Sequence, residues 1–69
     1  MTKYLIVAEK TETGYSAYSP DLPGCVATGR TPEELEQTMR EAVLFHLEGL
    51  RKDRETVPVP RSFCTICEV

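Results

Sequence analysis

The sequence predicts an α+β domain in the order β-β-β-α-β, a mixed sheet with one helix packed on one face, and three observations carry this. Residues 3–10 and 15–19 alternate in hydrophobicity around a short polar turn. A single apolar stripe of helical period follows the run Thr31-Pro32-Glu33-Glu34. The last eight residues, 62–69, alternate once more.

In the first run Tyr4, Ile6 and Ala8 fall on one face and Leu5 and Val7 on the other. A strand apolar on both faces is normally covered on both, which places it in the middle of the sheet. One helix covers only one face, so Leu5 and Val7 are candidate contacts with another copy of the chain. Thr11-Glu12-Thr13-Gly14 forms the turn, with Gly14 expected to take a positive φ, and Tyr15 and Ala17 oppose Tyr18 on the returning strand. Pro20 and Pro23 then fix φ and lack donors, while Gly24 permits a positive φ, so the chain turns rigidly into a third strand over 25–28. The first half is an antiparallel meander.

The helix starts at a capping box. Thr31 accepts from the N–H three residues on, Glu34 reaches back, and Pro32 occupies the first helical position, where no donor is needed. Leu35, Met39, Ala42, Val43, Leu47 and Leu50 form the buried stripe to about Asp53, with His46 inside it and Ala42 and Gly49 as small neighbours that let the helix approach the sheet. Leu44 lies off the stripe among Glu33, Gln37, Arg40, Glu48 and Arg51, and Phe45 lies at its margin, so both are candidates for contact with another chain. Arg51 and Lys52 complement the helix dipole, and Val57-Pro58-Val59-Pro60 is a stiff extended connector. The final strand, 62–69, is expected to lie parallel to the first by a right-handed crossover.

Sixty-nine residues make one domain, 1–69, which buries only about 60% of its unfolded surface and so gains from a partner. Together with the uncovered Leu5 and Val7, this predicts a homo-oligomer, a dimer or a dimer of dimers. The net charge of −3 argues against nonspecific polyanion binding and suits a basic partner. Three cysteines without a disulfide-framework spacing, and the lack of a leader or a long apolar run, predict a cytoplasmic protein with no membrane segment.

Chemistry finds little support. Cys64-Thr-Ile-Cys67 has the spacing of zinc and redox sites, and Cys25 and His46 would complete four ligands. On a strand, however, residues three apart point to opposite faces, so no metal is expected and the cysteines read as small apolar side chains. His46 sits among Val43, Leu47 and Leu50 and reads as a packed histidine rather than an acid–base group. No nucleophile elbow, phosphate loop or convergent carboxylates are present, which leaves no catalytic residue and no cofactor.

Several pieces together resemble the HicB antitoxin family: Tyr4-Leu5-Ile6-Val7, Gly14-Tyr15-Ser16-Ala17, Pro20-Asp21-Leu22-Pro23-Gly24-Cys25, Gly29-Arg30-Thr31-Pro32-Glu33-Glu34, His46-Leu47 and Val57-Pro58-Val59-Pro60. The resemblance implies a partial RNase H-like fold without the nuclease's catalytic carboxylates. It also implies a role as antitoxin to HicA, a small basic mRNA-cleaving toxin with a double-stranded-RNA-binding-like fold. Members of that family generally carry a C-terminal ribbon-helix-helix or helix-turn-helix segment, and the sequence ends at Val69, so no direct DNA binding is expected. Occlusion of a toxin would fall to the turn at Asp21 and Leu22 and to the outer helix face with Glu33, Glu41, Leu44 and Glu48. Two other readings stand beside it: a small-ligand or metal-binding domain, resting on the tail cysteines, and a degenerate nuclease, resting on fold analogy alone.

Overall fold

A computed structural model describes residues 2–69. Three strands, β1 (Val7–Lys10), β2 (Tyr15–Tyr18) and β3 (Val26–Gly29), precede one helix, α1 (Pro32–Lys52). The strands form an antiparallel sheet in the order β1-β2-β3, with Val7 opposite Tyr18 and Tyr15 opposite Gly29. The α+β class and the single helix on one face are as the sequence predicts. α1 lies across β3 and β2. Ala17, Leu22, Cys25, Leu35, Met39 and Leu47 are buried between these layers.

Two expectations about the sheet are overturned together. Residues 62–69 form no strand, so the sheet is three-stranded and wholly antiparallel, and β1 lies at its edge rather than in its middle. The physical reason is at the base of the tail, where the backbone N–H groups of Arg61 and Ser62 donate to the Asp21 carboxylate at 3.1 and 3.0 Å instead of entering a ladder. Beyond that point the chain leaves its own sheet: Phe63 is 82% and Ile66 94% exposed. The radius of gyration is accordingly 13.1 Å, against about 11 Å for a compact chain of this length. β1 is also shorter than expected. Opposite Leu5 the partner strand has already turned, and Ser19 Oγ donates to Leu5 O at 3.0 Å in place of a ladder bond.

The glycines have other tasks than the sequence suggests. Gly24 takes the positive φ, +82°. Gly14 does not, and what it supplies is room: an added Cβ would strike the Gly29 carbonyl oxygen. At Gly29 a Cβ would stand 2.7 Å from the Leu35 nitrogen, so the hairpin, the end of β3 and the first turn of α1 meet backbone to backbone. Gly49, expected to bring the helix close, faces open space. We therefore expect opposite outcomes in urea unfolding. Gly29→Ala destabilises by about 1–3 kcal/mol through overpacking, whereas Gly49→Ala stabilises by about 0.5–1 kcal/mol because only the helical backbone is affected.

The helix ends as its sequence dictates. Thr31 (φ −128°, ψ 159°) caps it, its Oγ1 accepting from Glu34 N–H at 3.1 Å, although the reciprocal bond from Thr31 N–H to Glu34 does not form among the described residues. At the other end Glu55 N–H donates to Leu50 O (2.8 Å) and Arg54 N–H to Arg51 O (3.1 Å), the paired bonds of a Schellman cap. The left-handed position of that cap holds Arg54, at φ +57°. Arg54→Gly should relieve its Cβ crowding and add about 1 kcal/mol, read as a rise in melting temperature of about 4–8 °C.

Candidate protein interface

Of the residues expected to meet a partner, two have internal tasks. Leu22 is wholly buried in the core, because the Pro20–Pro23 turn curls inward with Leu22 N–H on Ser19 O (3.2 Å) and Cys25 N–H on Leu22 O (3.0 Å). Asp21 is the anchor of the C-terminal segment. Its Oδ2 accepts from Arg61 and Ser62 N–H, and its Oδ1 from Ser62 Oγ at 3.1 Å. Tyr4 reinforces the same crossing by donating its hydroxyl to Pro58 O at 2.6 Å.

The Ser62 N–H above all holds the Asp21 carboxyl below the usual range; desolvation opposes it, and the Arg61 N–H, the Ser62 hydroxyl and the Arg61 charge add to the lowering. A carboxylate with a depressed folded-state pKa stabilises the fold above its unfolded value of about 3.9 and loses that contribution as pH falls through the folded value. The anchor is thus intact at neutral pH and released in acid. In an NMR titration the Arg61 and Ser62 amide shifts should move with the Asp21 carboxyl carbon, with one midpoint below about 3.9. Amides that ignore the carboxyl would contradict the anchor.

Glu33, Glu41, Leu44 and Glu48 do share a surface, the solvent face of α1, where Gln37 Nε2 donates to Glu41 Oε1 at 3.1 Å. Their spacing of three, four and eight keeps them on one side of the helix. Leu44 is 55% and Phe45 78% exposed in their midst, an apolar centre with carboxylates around it. Leu5 and Val7 remain half-buried, uncovered on the sheet face away from the helix.

The sequence reading missed a groove. Between residues 2–6 and α1 lies a cleft of about 550 Å³, lined by apolar Tyr4, Ile6, Met39, Val43, Leu44 and Leu47 and, along α1, by Glu33, Glu36, Gln37 and Arg40. The alternation of Tyr4 and Ile6 and the stripe of α1 were both legible; that no strand of the same chain comes between them was not.

No three His, Cys, Asp or Glu side chains converge among the described residues. Cys25 is buried, which pushes its thiol up, while Cys64 and Cys67 stand exposed on the tail. His46 is half-buried in the helix stripe. Among the described residues no helix is long and apolar enough to cross a membrane.

Against known proteins, the family described as "HicB_like antitoxin of bacterial toxin-antitoxin system" matches residues 4–68. An uncharacterised 14.9 kDa protein of Haemophilus phage HP1 is 42% identical over 55 residues, 80% of this chain and 41% of the phage protein. A UPF0150 protein of Thermoplasma acidophilum is 37% identical over 57 residues, covering 81% of this chain and 83% of its own. The chain thus spans less than half of the first relative and most of the second. Among solved structures, a chain of the "HicA3 and HicB3 toxin-antitoxin complex" superposes with a TM-score of 0.69 at 29% identity, covering 84% of this chain and 72% of that one.

Proposed function

The chain belongs to the HicB-like antitoxin family of bacterial toxin-antitoxin systems, and from that premise we propose that it neutralises a HicA-type mRNA-cleaving toxin by covering the toxin's RNA-facing surface, without chemistry of its own. A surface that holds RNA must be positive, and an acidic protein competes for it with the same electrostatics. The observation that carries the reading is the solvent face of α1: exposed Leu44 and Phe45 among Glu33, Glu41 and Glu48, on a chain of net charge −3. An apolar centre with a charged rim is the anatomy of a protein interface. The solved relative from a HicA3–HicB3 complex supports a toxin as the class of partner. The test is to titrate this protein into a HicA-type toxin, taken from the adjacent reading frame where that frame encodes a small basic protein, while following RNA cleavage. Stoichiometric loss of cleavage, with association that slows as salt rises, is expected. Undiminished cleavage at excess antitoxin would overturn the reading.

A further inference from the structure

We propose that the open edge of β1 receives the 63–69 tail of a second copy of this chain, reciprocally, so that each tail becomes the fourth strand of its partner's sheet. Three features converge on this. Among the described residues β1 pairs only with β2, so its outer edge offers unpaired backbone groups, and residues 4–6 run into it without a ladder partner of their own. Such an edge is a template for another strand. The tail is a strand in search of one: it alternates, it is fixed at its base by Asp21, and it leads away from its own sheet with Phe63 and Ile66 almost fully exposed. Its seven residues span about 23 Å when extended, the length of the seven residues 4–10.

The groove decides how the strand sits. Tyr4 and Ile6 line it on the sheet side, and Met39, Val43 and Leu47 with Glu33, Gln37 and Arg40 on the α1 side. A strand laid against β1 directs alternate side chains into that cleft, and the more apolar set, Phe63, Cys67 and Val69, fills it. Ile66, on the opposite face, then lies beside Leu5 and Val7, which the helix cannot reach. Both faces of β1 are covered by one addition. A two-fold exchange pairs the β1 edge of both copies at once.

Sedimentation equilibrium on the full chain at micromolar concentration tests this, alongside Phe63→Asp and a variant ending at Ser62. A dimer is expected for the full chain, a dissociation constant raised about thirtyfold or more for Phe63→Asp, and a monomer for the shortened variant, whose helical circular dichroism is retained. In a mixture of isotope-labelled and unlabelled full chains, filtered NOEs should connect the tail of one copy to β1 of the other. A monomeric full chain, a dimer that survives the shortening, or tail-to-β1 NOEs within one chain only would each overturn the proposal.

Discussion

Leu22→Ala is expected to remove a large part of the domain's stability. Leu22 is wholly buried, and deleting a buried leucine side chain costs about 2–5 kcal/mol in lost transfer and residual cavity. At roughly 0.05–0.15 kcal/mol per residue a domain of this size has about 3–10 kcal/mol in hand, so one substitution removes a large part of it. The turn around Leu22 is held by Pro20, Pro23 and three backbone hydrogen bonds, which limits its collapse into the void. Leu22→Met, close in volume, should cost under about 1.5 kcal/mol. Urea unfolding followed by circular dichroism checks both. Equal midpoints for the two variants would show that Leu22 does not pack as described.

The second large effect concerns the partner. Glu41→Lys with Glu48→Lys is expected to raise the concentration needed to inhibit a HicA-type toxin by about a hundredfold or more, since like charges brought together across an interface cost several kcal/mol. Both side chains are exposed, so the fold should lose only the Gln37–Glu41 hydrogen bond, and helical content should be retained. The reversed variant should also lose the acceleration of binding at low salt. Unchanged inhibition would remove the α1 face from the proposed interface while leaving the family assignment standing.

What the sequence shows well is local. The bounds of α1 follow from Thr31, Pro32, Arg51 and Lys52, groups that act within one turn of themselves, and the Tyr15–Tyr18 return follows from alternation and a glycine-containing turn. What it hides is long-range. Asp21 looks free because its hydrogen-bond donors come 40 and 41 residues later. Leu22 lies between two prolines in a turn otherwise polar or small, and nothing local says that the turn curls onto the core. The alternation of 62–69 suggests a strand, but alternation carries no information on whether a neighbouring strand is there to pair with, and within the chain the sheet has three strands and not four. Of the candidate interface, the helix face is legible from its period, because exposure on a helix follows from the positions that the buried stripe leaves over.

The Asp21–Ser62 crossing has one more consequence, in the order in which the molecule comes apart. The segment after α1 is tied down by Tyr4 through Pro58 and by Asp21 through Arg61 and Ser62, with Val57 packed against the core. Few apolar contacts and solvent-facing hydrogen bonds define the low end of local stability, whereas Met39 and Leu35 sit where opening requires the whole core to part. The chain therefore opens in two stages. Trypsin should cut first at Arg61, under native conditions and at a rate that acid or loss of the Asp21 carboxylate increases, while the amides of α1 remain protected from solvent exchange until the sheet itself gives way.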